Sequence, residues 1–356
     1  MTGDTKTKLK RGWTTGACAT AATAAAFRAL VSGRFAPVER IALPRGGTAT
    51  FEIVDPLLGD GWARASVIKD AGDDPDVTHG ATIVSHVTPL PPGHGVRFKA
   101  GAGVGTITRP GLPLAVGEPA INPVPRQMMI QAVRDIAHQE IRPGDVEIEI
   151  SVPGGEDLAQ QTLNPRLGIV GGLSILGTTG VVIPYSCAAW LHSIHRGIDV
   201  AWASGIEHIA ASTGSTSERA VRERYDMEDM ALIEMGDMAG GLLKYLRRVP
   251  LPMVTIAGGF AKLAKLAGGK LDLHSRSASV DLDQICAWAN AQDTAITQAR
   301  SAGEALAIAD DLGGNLALPV AERARDQASR VTGPATRIEV IVYDRFGHER
   351  AHARGW

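Results

Sequence analysis

Apolar and polar positions change rhythm part-way along this chain. From Thr14 to Ser32 small apolar residues, mostly alanine, follow one another with few interruptions. Alanine is the strongest helix former, so the stretch predicts a helix opened by Thr14 or Thr15 and closed by Gly33. The chain then breaks into short runs rich in β-branched residues and bounded by Gly, Pro or Asp. Ile41–Leu43, Thr50–Val54, Trp62–Ile68, Ala81–Val87 and Val96–Lys99 read as strands. A loop punctuated by Gly and Pro spans Gly101 to Gly117, Val124 to Glu140 has a helical pattern, and Val146–Val152 alternates as a strand does. Residues 1–152 are therefore expected to form an α+β domain.

Further along, strand, glycine turn and helix follow one another three times. Strand Ile206–Ala211 leads through Ser212-Thr213-Gly214 to a helix from Ser217 to Arg224; Ala231–Met235 leads through Gly236-Asp237 to a helix ending at Arg248; Met253–Ala257 leads through Gly258-Gly259 to a helix ending at Leu266. This order predicts that residues 153–356 form an α/β domain with a mainly parallel, doubly wound sheet. Ligands of such sheets lie beyond the carboxyl ends of the strands, which places a pocket at the three glycine turns. Helices from Leu282 to Ala291 and from Ala302 to Asp311 follow, and a last strand, Arg337–Tyr343, runs into a basic tail expected to fray.

Composition narrows the function classes. The 44% apolar and 21% charged fractions are those of an ordinary globular protein, and the formal net charge of −2 argues against a nucleic-acid partner. No run approaches the roughly 20 apolar residues of a membrane span. Cys18, Cys187 and Cys286 lie far apart with no CxxC or zinc spacing, which points to a reducing, cytoplasmic setting and no protein-bound metal.

Four segments carry candidate chemistry. Arg11 to Cys18 brings small and hydroxyl residues to a helix start, suited to an anion or to ordinary N-capping. Lys69 to Gly80 holds Asp70, Asp73, Asp74 and Asp76 between Lys69 and His79; without EF-hand spacing it reads as a solvated acidic turn or as a proton-handling site. Repulsion among these carboxylates is expected to favour proton uptake by at least one. Pro119 to Arg126 is a Pro-stiffened loop presenting Asn122 and Arg126, either to a carboxylate or as a hinge. Thr162 to Gly168 and Gly171 to Gly180 alternate apolar residues with Gly and hydroxyls, permitting close backbone approach to a ligand or a tightly packed crossover. The strict dinucleotide fingerprint, a Walker loop and a nucleophile elbow are all missing, and His192 and His195, three apart, read as a packed or solvent-facing pair.

In order and number, these segments resemble the cobalt-precorrin-5B (C1)-methyltransferase family (CbiD) of anaerobic cobalamin biosynthesis. The resemblance rests on Gly12-Trp13-Thr14-Thr15-Gly16, Lys69 to Asp76, Gly103-Val104-Gly105, Pro119 to Arg126, Asn164 to Gly168, Gly171 to Gly180, Ser212-Thr213-Gly214 with Ser217-Glu218, and Lys262 to Ala267 leading to His274-Ser275. Trp13 and Gly259-Phe260-Ala261 depart mildly from the family pattern. The resemblance implies S-adenosyl-L-methionine as methyl donor, a cobalt-bound tetrapyrrole as acceptor and cobalt-precorrin-6A as product.

A substrate carbon would then be the nucleophile, and the protein's part would be alignment, exclusion of water and handling of a released proton. The expected substrate residues are Thr14, Thr15, Lys69, Asn122, Arg126, Asn164, Arg166, Lys262, Lys265 and His274; the expected proton-handling residues are Asp70, Asp73, Asp76 and His79. The methyl donor is expected at Ser212, Thr213, Gly214, Glu234, Gly236, Asp237, Gly258 and Gly259, with Glu234 or Asp237 on its ribose. A nucleotide-binding phosphoryl-transfer enzyme and a non-catalytic tetrapyrrole carrier are the alternatives; a homo-oligomer stays open.

Overall fold

The computed structural model describes residues 9–275, 280–288 and 294–356, except the side chains of Thr294 and Ala295. The chain divides into two compact units, Met1–Ser186 and Cys187–Trp356.

The first unit is organised around the Thr15–Ser32 helix, which is buried on almost every side. Its alanines allow this: Ala17, Ala19, Ala21, Ala22 and Ala26 are fully buried, and side chains this short let both a sheet and the Pro123–Glu140 helix approach closely. The buried hydroxyls are satisfied, Thr20 Oγ1 by the Gly16 carbonyl at 2.7 Å and Thr23 Oγ1 by Ser85 Oγ at 2.8 Å. Beneath the helix the strands lie in the order Val54–Gly59, Trp62–Ile68, Thr82–Pro89, Val146–Ser151, Val96–Ala100. All neighbours are antiparallel except the last pair. Ala63, Ala65, Val67, Ile83, Val87, Ile148 and Ile150 form the face packed into the core. Strands Val38–Ala42 and Thr48–Glu52 make a separate hairpin.

The boundary between the units lies later than the expected 152/153. Residues beyond 152 belong to the first unit because their short strands pair there: Gly172–Leu173 with Gly103–Val104, Ile169–Val170 with Thr106–Ile107, and Val181–Val182 with Gly12–Trp13.

In the second unit the strand order is Leu232–Glu234, His208–Ser212, Met253–Gly259, Arg337–Tyr343, Glu349–Ala353, the first four parallel and the last antiparallel. Ile209, Ala211, Ile233, Val254, Ile256, Val340 and Val342 turn to one face. There they share a core with the helices Cys187–Ala203, Ala239–Leu246, Phe260–Ala267 and Ala317–Thr332. Ala210, Leu232, Ala257 and Ile341 turn to the other face, where Val221 of the Ser215–Tyr225 helix covers them.

The tail expected to fray instead forms the edge strand Glu349–Ala353. The Asp344 carboxylate accepts the Phe346 and His348 N–H groups and tightens the turn, while Ala351 and Ala353 alternate into the core. Helix Leu282–Trp288 begins where expected; its expected end at Ala291 lies outside the described residues.

Candidate functional sites

In the first unit the acidic run is a clamp on the chain entering the alanine helix. Trp13 N–H donates to the Asp70 carbonyl at 2.7 Å, Asp73 N–H to the Lys10 carbonyl at 3.0 Å, and the Asp73 carboxylate accepts the Lys10 N–H at 2.6 Å. A β-carbon on Gly12 would stand 2.0 Å from the Ala71 backbone, and Gly72 lies at φ +67° against the Lys10 carbonyl, so both positions require glycine.

Each perturbed carboxylate here has its own cation. Lys69, 1% exposed, reaches Asp76 at 2.6 Å, and Asp76 also accepts the Thr78 N–H and hydroxyl. Burial alone would raise the Asp76 carboxyl; the Lys69 charge and these hydrogen bonds outweigh it and hold the group below the usual carboxylate range. Asp70 is likewise lowered, first by the hydrogen bond from Lys10 at 2.6 Å and then by the Gly72 N–H. The expected proton uptake driven by mutual repulsion is thus reversed at these two groups. Asp74 accepts the Tyr185 N–H at 2.8 Å. His79 accepts the Ala71 N–H on Nδ1 at 3.1 Å, so its neutral ring carries the proton on Nε2 and presents a donor.

Most other expected substrate residues of this unit hold its own loops. Thr14 caps the helix through Ala17 N–H, Gly16 N–H is taken by the Leu176 carbonyl, and Thr15 Oγ1 accepts the Leu176 N–H. The helix start is therefore an occupied N-cap rather than an open anion site. Asn164 bridges the Gly172 carbonyl and the Ser174 hydroxyl while buried. Arg126 donates to the carbonyls of Ile121 and Pro119, pairs with Glu118 at 2.8 Å and lies over the Phe98 ring. Its guanidinium is engaged by its own loop, so the expected grip on a substrate carboxylate is replaced by a clamp. Asn122 caps Pro123–Glu140 by backbone only, and Arg166 sits half-buried on the Pro165–Leu167 turn.

In the second unit the carboxyl ends of three parallel strands converge on the expected turns. The Ser212 carbonyl accepts both Met235 and Gly236 N–H groups, and Thr213 N–H donates to the Ala257 carbonyl, tying the three turns together. Within this knot polar atoms are left over. The Ser212 hydroxyl is fully buried without a hydrogen-bond partner. Lys262 donates to the Thr213 carbonyl at 2.7 Å and stands 3.0 Å from Asp237 Oδ1, off the hydrogen-bond direction; this buried oxygen has a counter-charge and no hydrogen bond. Gly214 and Gly259, at the starts of the Ser215–Tyr225 and Phe260–Ala267 helices, provide no side-chain cap, and a β-carbon on either would meet open space. Gly258 is different: there a β-carbon would fall 2.7 Å from Thr213 Oγ1.

Glu234 is exposed, and its carbonyl accepts Trp190 Nε1–H at 3.2 Å, which sets the indole beside Gly236. Sequence reasoning gave Trp190 no role, since a lone aromatic on a helix has no local signature. It also grouped Lys262 with the substrate residues, whereas Lys262 stands with Thr213 and Asp237. Lys265, 8% exposed, donates to the Leu273 carbonyl, and His274 is exposed. Among the described residues no group of three or more His, Cys, Asp or Glu is arranged to hold a metal ion, and no helix is long and apolar enough to cross a membrane.

Comparison with known proteins gives the family. The CbiD family profile matches residues 2–184, and the profile of the CbiD C-terminal domain matches residues 272–354. The chain belongs to the CbiD family. Family relatives named cobalt-precorrin-5B C(1)-methyltransferase include one from Brucella anthropi, 55% identical over 96% of this chain and 95% of its own, and one from Paramagnetospirillum magneticum, 56% identical over 95% and 96%. A crystal structure of the cobalamin biosynthesis protein CbiD from Archaeoglobus fulgidus is similar at 24% identity, covering 86% of this chain and 85% of that one, with a TM-score of 0.40.

Proposed function

We propose that this protein methylates carbon 1 of cobalt-precorrin-5B with S-adenosyl-L-methionine, giving cobalt-precorrin-6A. The observation that carries this reading is the identity of 55% over 96% of the chain to a relative of that name. Bound methyl donor supplies an electrophilic methyl group on a sulfonium. We read the second unit as the doubly wound sheet that holds it, supported by four parallel strands with helices on both faces. The Ser212 hydroxyl and Asp237 Oδ1, both buried without a hydrogen bond, and the open space over Gly214 and Gly259, fit a polar ligand at this strand edge.

In this reading Ser212 and Asp237 hydrogen-bond the donor's polar groups, with Glu234, Thr213, Gly236 and Gly258 shaping the turns around them. Lys262, 3.0 Å away, holds Asp237 in place. The uncapped N–H groups at Gly214 and Gly259 favour its carboxylate. The tetrapyrrole, which brings its own cobalt, is assigned to the first unit, where His79 Nε2–H donates to it. Of the carboxylates expected to take up the proton released on methyl transfer, Asp73 is retained; the lowered Asp70 and Asp76 are weak bases. A cytoplasmic setting accords with the free Cys18, Cys187 and Cys286.

The test is incubation with S-adenosyl-L-methionine and cobalt-precorrin-5B followed by mass analysis. Gain of one methyl group supports the reading; binding of both compounds without turnover would make the protein a carrier.

A further inference from the structure

The sheet of the first unit has a second face. Ala63, Ala65 and Val67 turn to the alanine helix, so Trp62, Arg64, Ser66 and Ile68 of the same strand turn away from it, beside Thr82, Val84 and His86 of the neighbouring strand. Trp62 and His86 stack there with ring centres 4.8 Å apart. At one edge the Val54–Gly59 strand bulges between Val54 and Leu57, where Asp55 takes φ +48°. Beside the bulge lies a recess of about 580 Å³, whose lining includes Asp55, Leu57, Arg64, Ser66, Thr82 and Val84.

Arg64 is the anomaly of this recess. Its Nε is buried with no hydrogen-bond partner, and the side chain forms no ion pair with Asp55 or any other described residue. Arg126, in contrast, has its guanidinium fully engaged. The side chain as a whole is half-buried; a buried N–H of a guanidinium without a partner is unfavourable, and in native structures such a group ordinarily meets a ligand, water or ion. The guanidinium offers parallel N–H groups matched to a carboxylate, and the Ser66 and Thr82 hydroxyls can add donors. Asp55 in the same lining makes its formal charge neutral, which favours a singly charged carboxylate over a phosphate dianion.

We infer that Arg64 anchors a carboxylate arm of the tetrapyrrole in this recess, with the Trp62–His86 stack flanking the macrocycle. The inference deepens the methyltransferase reading and rests on it for the identity of the acid. Arg64 is a binding residue in it and takes no part in the transfer of the methyl group.

The test measures equilibrium binding, by visible absorbance, of a cobalt corrinoid polycarboxylic acid and of its fully methyl-esterified form to the wild type, Arg64→Lys and Arg64→Met. Arg64→Met is expected to bind the acid about tenfold or more weakly, the scale of a lost charge-assisted hydrogen bond, and the ester as the wild type does. Arg64→Lys is expected to fall between, since it keeps the charge and loses the fork. The melting temperature of Arg64→Met is expected to stay level or rise, because no internal polar bond is lost. Unchanged acid affinity in Arg64→Met, or equal losses for acid and ester, would overturn the inference. So would weakened binding of S-adenosylhomocysteine with acid binding intact, which would move the recess to the methyl donor. Lack of methyl transfer by the wild type would count against the proposed function and leave the acid-to-ester ratio readable.

Discussion

Asp76→Asn separates a clamp from a catalyst. The substitution keeps the shape of the side chain and an oxygen for the Thr78 N–H and hydroxyl, which now stand at 2.8 and 2.6 Å from Asp76. What it removes is the charge facing Lys69, whose ammonium is 1% exposed and 2.6 Å from the carboxylate. Breaking one side of a buried ion pair costs about 3–5 kcal/mol, because the other charge is left unpaired. The 24% exposure of the Asp76 side chain argues for the lower end, about 3 kcal/mol. For a unit of this size that corresponds to a fall in Tm of about 6–12 °C. Lys69→Met should cost less, since the carboxylate it strands is the more exposed partner and keeps its Thr78 bonds.

The pH dependence has a fixed sign. The folded Asp76 carboxyl lies below its unfolded range, so its contribution is present above about pH 4 and is lost as pH falls through the folded pKa. The difference in stability between wild type and Asp76→Asn should therefore be full above about pH 4 and shrink as the pH is lowered further. Thermal and urea unfolding followed by circular dichroism measure both effects. A variant with wild-type stability whose kcat has fallen by about 100-fold, the scale of lost acid–base catalysis, would refute the structural reasoning.

Arg126→Lys should lower Tm by several degrees with KM for the tetrapyrrole within about twofold, because a lysine cannot span the Pro119, Ile121 and Glu118 acceptors together; calorimetry and steady-state kinetics decide it. Ser212→Ala should weaken S-adenosylhomocysteine binding by about three- to tenfold in titration calorimetry while leaving Tm unchanged or higher, since the hydroxyl has no internal partner to lose. Gly12→Ala should fail to give a folded first unit, judged by near-ultraviolet circular dichroism, because the new methyl would overlap the Ala71 backbone.

Much of the fold was legible because local signals agreed with burial. The run Thr14 to Ser32 predicted its helix and both caps, and strand Arg337–Tyr343 has the bounds its β-branched pattern gave. Other features depended on distant partners. Strand Val54–Gly59 was missed because Asp55 and Pro56 read as a break, whereas the sheet accommodates them as a bulge. The unit boundary was placed early because the two-residue strands at 169–170, 172–173 and 181–182 have no periodicity of their own; their partners lie at 106–107, 103–104 and 12–13. The glycine turns at 212–214, 235–237 and 258–259 were legible as a cluster from strand spacing. The engagement of Arg126, Thr15 and Asn164 was not, since an arginine after a proline-rich loop reads alike whether its acceptors are a ligand or its own carbonyls.

The pairing of Gly12–Trp13 with Val181–Val182, together with the Thr14 N–H bound to the Gly180 carbonyl, sets the order of events on the ribosome. The alanine helix leaves the exit tunnel early and the acidic run clamps its entry soon after, but the strand that completes that entry is among the last segments of this unit to be synthesised. Until then the helix can take its seat on the sheet and the Pro123–Glu140 helix, but the strand pair at its entry is open, and closing such a long loop must wait for translation rather than for local folding. The first unit is thus completed by its tail, and a chain stopped shortly before residue 180 would leave Gly12–Trp13 without its strand partner and the entry to its most apolar helix open to other unfinished chains.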